Sequence, residues 1–276
     1  MHTNETTTGM VARLSANYVD TFRLLARMVD GGEVIEYGGV SLVATGLPAA
    51  PFNVAFVRGP LADPGAELSR AVEWFRSRRL PFLIRLCGPT DRATSETAQA
   101  MGLVGGPELP GMALPNTVNA LALQPGLDIV CAQDPKTLQH HADVCARGFA
   151  IPADIMDRLI APSLLDLHDV EAYVGYSEGT PVTSSALFFN NGVAGIYNVA
   201  TVDGHRRKGL GAAMTWHAVR RGRELGCQFS ALLSSVMGQP VYERMGFCTI
   251  AAYPSLADTR GGQPPAARSS VKQIAA

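Results

Sequence analysis

From Gly195 to Val202 the chain reads GIYNVATV, an apolar run rich in β-branched and aromatic residues that predicts a strand. The period then changes. Leu210, Ala213, Met214, Ala218, Gly222 and Leu225 recur at helical spacing, and Gly226 follows as a C-cap glycine. Beyond it, QFSALLSS predicts a strand, QPVYERMG a short helix and FCTIAAY a strand. Upstream, the segment from Asp169 to Val202 predicts three antiparallel strands turning at Glu178-Gly179 and at Asn190-Asn191-Gly192. DPKTLQHHADVCARGF and PADIMDRLIAPSLL precede these as helices, the first opened by Asp134 as N-cap and Pro135 as first helical residue.

The first half repeats this order. FNVAFVRG predicts a strand, and DPGAELSRAVEWFRSRRL a helix with Leu68, Ala71, Trp74 and Phe75 on one face. PFLIRLC predicts a strand, RATSETAQAMG a short helix and GPELPGMAL a closing extended piece. The repeat is one of element order and not of sequence identity. Residues around Gln124 to Gly126 mark the expected boundary. The expected units are 12–123 and 127–257, with a tail without fixed structure at 258–276, where Gly, Pro, Ser and Ala dominate. The first dozen residues read as a frayed end. The expected class is α+β, a mixed but mostly antiparallel sheet flanked by helices, twice in tandem.

Composition narrows the function. Of 276 residues, 47% are hydrophobic and 17% charged, which permits a well-buried core. The formal net charge of −1 gives no bulk attraction to nucleic acid or to an anionic membrane. Five cysteines, Cys87, Cys131, Cys145, Cys227 and Cys248, form no C-x-x-C pair and read as reduced thiols of a cytoplasmic protein. MHTNETTTGM lacks the apolar core of a secretion signal, and no run is long enough to span a bilayer. His140 and His141 are adjacent on a predicted helix and face different ways, so no metal is expected.

The chemistry concentrates between strand and helix, in DGHRRKGLGAA. A helix start leaves backbone N–H groups free at the positive end of the dipole. Gly209 and Gly211 let a bulky anion approach the backbone, and Arg206, Arg207 and Lys208 add charge. The P-loop and dinucleotide-binding fingerprints are both absent.

The R-x-x-G-x-G pattern from Arg206 to Gly211, with ATV before it and PVYERMGF one strand later, resembles the GNAT superfamily of N-acetyltransferases. The resemblance covers about Leu127 to Tyr253. It departs at Asp203, where many relatives carry proline. It implies an acetyl-CoA-dependent N-acyltransferase acting by direct attack of a primary amine. Coenzyme A would lie along Val199, Ala200, Thr201 and Val202, with its pyrophosphate at Arg206, Arg207, Lys208, Gly209, Leu210, Gly211 and Ala212. Ser234 and Ser235 would contact the pantetheine arm, and Tyr242 would protonate the departing thiolate. A phenol is protonated at neutral pH and suits that task.

The general base is not fixed by the resemblance. The predicted strand holds no carboxylate, and Glu171, Tyr197 and Asn198 are each candidates to hold a relaying water, with His205 read as a phosphate neighbour. The first half lacks the motif. Arg58 and Gly59 are at the wrong spacing, and Asp63 and Glu67 would repel phosphate at its helix start. Its expected role is to shape the acceptor pocket or to pack. The expected partners are a small-molecule or peptide amine and, on self-association, a second copy in a homodimer, with neither nucleic acid nor membrane. Two other readings stay open: an acyl-CoA-binding sensor without turnover, and a structural partner protein.

Overall fold

The computed structural model describes residues 6–88, 92–106, 108–118 and 126–258. Gln124 and Pro125 at the expected boundary, and residues 259–276 of the expected tail, lie outside the described residues.

The chain opens on helix α1 (Thr7–Met28), then β1 (Glu33–Tyr37), β2 (Val40–Ala44), β3 (Asn53–Val57), α2 (Pro64–Ser77), β4 (Leu83–Leu86), α3 (Arg92–Ala100), β5 (Leu103–Gly105) and β6 (Leu109–Pro115). It continues with β7 (Asp128–Cys131), α4 (Pro135–Phe149), α5 (Ala153–Leu159), β8 (Val170–Ser177), β9 (Thr180–Asn190), β10 (Val193–Thr201), α6 (Leu210–Glu224), β11 (Phe229–Leu233), α7 (Gln239–Arg244), β12 (Cys248–Tyr253) and β13 (Ser255–Asp258). The result is the mixed, mostly antiparallel α+β class expected, in two sheets ordered β1-β2-β3-β4-β13-β5 and β12-β6-β11-β10-β9-β8-β7.

Two compact units carry these sheets. Of the described residues, the seven-stranded unit takes the chain through Asn17 together with Pro110–Ile250, and the six-stranded unit takes Tyr18–Leu109 and the chain from Ala251 to Asp258. Neither is a contiguous half. The sequence reads GPELPGMAL, Gly106 to Leu114, as the closing extended piece of the first half, yet β6 pairs with β11, Leu114 opposite Ser230 and Met112 opposite Leu232. In return β13, from the end of the described chain, enters the six-stranded sheet between β4 and β5, with Leu256 opposite both Ile84 and Gly105. Short apolar strands of this kind fit any open sheet edge of the right polarity, so their own pattern does not say which they join.

From Thr7 onward helix α1 stands where the first dozen residues read as a frayed end; residues 1–5 lie outside the described residues. Leu14, Tyr18, Val19, Phe22 and Ala26 make its buried stripe. In the six-stranded unit Tyr18 and Phe22 meet Phe56 edge to face, with centroids 5.4 and 5.2 Å away. In the seven-stranded unit Arg13 donates to the Asn191 carbonyl, and Asn17 donates to the Phe188 carbonyl at 3.1 Å.

Leu256 packs in one core with Ile84, Phe75 and Leu103. Leu256→Asp should therefore destabilise by about 3 kcal/mol or more, the cost of an unpaired charge in a core. Hydrogen exchange should show protection lost first in β3 and β4, far earlier in the chain, and retained in β9 and β10. Equal loss in both sheets would contradict the exchange of strands.

Candidate functional site

Strands β10 and β11 run parallel for three residue pairs, Val193 with Phe229 to Gly195 with Ala231, and the ladder then ends. Beyond Gly195, β10 follows β9 alone. Its register against β9 slips between Tyr197, opposite Ala186, and Ala200, opposite Ser184, so one extra residue is accommodated. Asn198 carries the bulge at φ +54, a left-handed conformation that asparagine tolerates better than most residues. Two β9 hydroxyls satisfy carbonyls at the bulge: Ser184 Oγ donates to Asn198 at 3.0 Å and Thr183 Oγ1 to Ala200 at 2.7 Å. Among the described residues, no strand pairs with the β11-facing edge of β10 from Ile196 to Thr201.

The turn after β10 leads to the start of α6. Gly209 is its N-cap at φ +79 and has no side chain to cap the first turn. A Cβ built on Gly211 would stand 3.7 Å from Val199 Cγ1 and 3.9 Å from Thr201 Oγ1, so that first turn lies directly against the open stretch of β10. Arg207 and Lys208 are exposed. Arg206 is spent within the fold: Nε donates to the Thr201 carbonyl at 3.0 Å, Nη2 to the Gly148 carbonyl at 2.8 Å, and Nη1 pairs with Asp203 at 2.8 Å. Its contribution is to the shape of the turn more than to free charge. His205 Nδ1 is buried there and has no hydrogen-bond partner among the described residues.

Tyr242, 3% exposed, projects from α7 into the core around Met214, Trp216 and Phe247. Burial pushes its phenol well above the ordinary tyrosine range, against the opposing effect of a hydrogen bond with Thr215. A Cβ on Gly238 would sit 3.0 Å from the Tyr242 ring, 3.1 Å from Ser234 Oγ and 3.3 Å from Ser235 Oγ, so glycine there lets the three converge. Both hydroxyls serve the turn: Ser234 Oγ donates to the Ser235 carbonyl at 2.8 Å, and Ser235 Oγ accepts from Gly238 N–H at 3.1 Å.

The candidates for a base separate. Glu171 accepts from Arg221 Nη2 at 2.8 Å and Nε at 3.0 Å and takes the Tyr173 hydroxyl as well. Burial works to raise its carboxyl, but the Arg221 and Tyr173 bonds outweigh it and hold the group below the usual range. Tyr197 is buried and its hydroxyl donates to Asn17 Oδ1 at 2.8 Å. Asn198 keeps a half-buried side chain at the bulge. Sequence reasoning did not single out Asn17, Thr183, Ser184 or Thr215. For Asn17 the helical spacing from Leu14 to Ala26 was the available signal; the other three are ordinary strand and helix residues until their partners are known.

The start of α2 in the six-stranded unit is chemically different. Asp63 accepts from Ala66 N–H at 3.0 Å, and the Glu67 carboxylate accepts from Ala62 N–H at 3.1 Å and Gly39 N–H at 3.2 Å. Asp63 thus caps the first turn, and Glu67 ties it to the preceding loop and to the β1–β2 turn. The parallel ladder from β3 to β4 also stays closed, from Val54 with Leu83 to Val57 with Leu86, and Cys87 N–H extends it to the Val57 carbonyl at 2.7 Å.

Elsewhere, a cavity of about 640 Å³ lined by Asp128, Val130, Tyr176 and Glu178 contains none of the expected site residues. Among the described residues no group of His, Cys, Asp and Glu could hold a metal, and no helix is long and apolar enough to cross a membrane.

Helix α4 buries His141 beneath the bulge, with Nδ1 3.0 Å from the Tyr173 carbonyl and Nε2 3.6 Å from Cys145 Sγ. Burial pushes His141 down to about 4, opposed by the bond to Tyr173. The unfolded chain, with an ordinary histidine near 6.5, takes up its proton first as pH falls. Stability should be full above that value and decline toward pH 4, by about 3 kcal/mol from this residue. Denaturant unfolding at stepped pH measures it. His141→Asn, whose amide can replace the Nδ1 donor, should flatten the slope in that window; an unchanged slope would assign the acid sensitivity to other groups.

The family model of the acetyltransferase (GNAT) family matches residues 141–247, which include the bulge, the α6 start and Tyr242. No curated protein matches the sequence. Among solved structures, a GCN5-related N-acetyltransferase from Kribbella flavida is 19% identical, covering 92% of this chain and 96% of its own at a TM-score of 0.73. A functionally unknown conserved protein from Staphylococcus epidermidis is 15% identical, covering 83% and 94% at 0.62. A tandem GNAT protein from the clavulanic acid biosynthesis pathway is 14% identical, covering 91% and 96% at 0.55. At such identities the likeness is one of fold.

Proposed function

We propose that this chain, which carries a GNAT acetyltransferase domain at residues 141–247 and shares the fold of a tandem GNAT protein, transfers an acetyl group from acetyl-CoA to a primary amine. The observation that carries this reading is the open edge of β10 beyond Gly195 lying against the first turn of α6, whose N-cap glycine has no side chain. An extended arm needs a strand edge with free backbone groups, and a pyrophosphate needs free N–H groups at a helix start. Both are adjacent here, and the contacts around Gly211 leave the approach unhindered. Val199 to Val202 would hold the pantetheine arm. Arg207 to Ala212 would hold the phosphates, with Arg206 fixing the turn. Ser234 and Ser235 would flank the arm near Tyr242.

When bound, acetyl-CoA supplies a thioester with an electrophilic carbonyl. A backbone N–H on the open edge of β10 would stabilise the oxygen of that carbonyl as charge develops. Tyr242 would give its hydroxyl proton to the leaving sulfur, since its environment keeps the phenol protonated at every physiological pH. With Glu171 held by Arg221 and Tyr197 by Asn17, Asn198 is the remaining candidate to hold a water that relays the amine proton. The six-stranded unit, with its closed ladder and self-capped helix, would bind no coenzyme A. Among the described residues Glu171 is held by Arg221, and β10 itself carries no carboxylate, which favours one second reading, a sensor that binds acyl-CoA without turnover.

Calorimetry with coenzyme A should give one site per chain. A stoichiometry of two would overturn the assignment of the six-stranded unit. Gly211→Asp should fold, because a Cβ there meets only ordinary contacts, and should abolish measurable binding; unchanged affinity would remove the pyrophosphate from α6. Thiol release from acetyl-CoA with polyamines, aminoglycosides, amino acids and peptides separates the enzyme from the sensor.

Tyr242→Phe keeps the ring among Met214 and Phe247 and should lower kcat by about 10²–10⁴, with coenzyme A affinity changed no more than a few-fold. Wild-type kcat, with chemistry limiting, would leave Tyr242 a packed aromatic.

A further inference from the structure

Helix α4 crosses the bulged part of the seven-stranded sheet on a single stripe. His141, Cys145 and Gly148 are spaced i, i+4 and i+7 and face the same way. His141 meets β8, with Nδ1 3.0 Å from the Tyr173 carbonyl. Cys145 meets β9, with Sγ 3.4 Å from Ser184 Oγ. Gly148 meets the open stretch of β10 and comes closest. A Cβ built on it would stand 2.7 Å from Ala200 Cβ, 3.3 Å from Thr201 N and 3.5 Å from Ala200 Cα. Non-bonded carbons prefer about 3.5–4.0 Å, so any side chain at this position displaces the helix or the strand.

That stretch of β10 is held on three sides. Alternation turns Ala200 toward α4 and turns Val199 and Thr201 toward the first turn of α6, where Gly211 is their neighbour. Thr183 and Ser184 hold it from β9. One guanidinium ties it to α4: Arg206 Nη2 donates to the Gly148 carbonyl at 2.8 Å and Nε to the Thr201 carbonyl at 3.0 Å. The last carbonyls of a helix have no intrahelical partner, and one of them is spent on this link. The helix itself is anchored. Ala150 closes its end in a left-handed conformation, and the Ile151 N–H bonds the Ala146 carbonyl at 2.9 Å. The strand is the softer of the two, because beyond Gly195, among the described residues, it pairs along one edge only.

We propose that Gly148 and Arg206 are the positioning residues of the open strand: the glycine sets how deep Val199 to Val202 lie between α4 and α6, and the guanidinium locks that depth. Together they fix where the free backbone groups of β10 meet the acyl-CoA arm. The inference rests on the reading of that stretch as the seat of acetyl-CoA. Arg206 then serves the cofactor by geometry and not by its charge, which is paired with Asp203 at 2.8 Å. A strand that shifts carries the thioester with it, and a misplacement of about 1 Å costs on the order of 10²-fold in rate.

The test uses the full chain, with calorimetry of coenzyme A and initial rates of thiol release from acetyl-CoA. Gly148→Ala should raise the Kd of coenzyme A and the KM of acetyl-CoA about tenfold or more in protein that circular dichroism shows to be folded. In an Ala200→Gly background, which removes the methyl that the new Cβ meets, the same change should cost no more than about threefold. A glycine needed for stability alone would lower Tm and leave the affinity of the folded protein where it was. Arg206→Lys keeps the charge but cannot span two carbonyls, and should weaken coenzyme A about as much as Gly148→Ala does.

Wild-type affinity in a folded Gly148→Ala would overturn the proposal, and so would a penalty that persists undiminished in the Ala200→Gly background. Wild-type affinity in Arg206→Lys would overturn it too, and that variant decides alone if Gly148→Ala does not fold. An unaltered chain that binds no coenzyme A would instead overturn the acetyl-CoA reading, and the positioning role with it.

Discussion

The parallel ladder between β10 and β11 is held for three residue pairs and released at Gly195. Everything proposed for the site depends on that release. A strand in the middle of a sheet normally satisfies both edges, and an edge left open inside a sheet exposes N–H and C=O groups that need partners. The protein sustains the opening by inserting one residue at Asn198 and by pinning the bulged strand from its other side. Ser184 and Thr183 hold the carbonyls of Asn198 and Ala200, and Arg206 holds that of Thr201. The gap is thus maintained by polar side chains on β9 and on the turn, and α6 starts beside it.

The six-stranded unit is the internal control. It repeats the order strand, helix, strand, yet β3 and β4 stay paired to their ends. Its helix start is capped by Asp63, which takes the Ala66 N–H, and the Glu67 carboxylate stands beside it, bound to the Ala62 N–H. A carboxylate of the chain is always present at that place and costs no association entropy. Similar architecture therefore yields one helix start that we propose accepts an anion and one that its own Asp63 caps. The difference lies in a bulge and two acidic side chains.

The exchange of β6 and β13 means that neither sheet is complete from one half of the chain. Each exchanged strand sits between a strand that follows the long helix of the unit and the last strand of that unit, at corresponding places in the two sheet orders. Helix α1 adds to this, since residues through Asn17 belong to one unit and those from Tyr18 to the other. Tyr197, on the strand that opens, takes its hydrogen-bond partner from Asn17, at the start of the chain.

What the sequence determined by itself was local. Periods of two and of about 3.6 residues, Asp134-Pro135 at the start of α4, and the turns at Glu178-Gly179 and Asn191-Gly192 each encode a backbone conformation within a few residues, and the elements stand where those signals fall. The spacing from Arg206 to Gly211 belongs to the same kind of information, because a turn and a helix start are short-range objects. Tertiary structure decided what short-range patterns cannot express. Whether GPELPGMAL closes its own sheet or enters another depends on which edge is free. Whether Glu171 is a base or half of an ion pair depends on Arg221, fifty residues away. Whether Arg206 offers its charge or fixes a turn depends on the Gly148 carbonyl at the end of α4. Each of these is a pairing between residues far apart in sequence, and a pairing is fixed only when both partners have been brought to the same place.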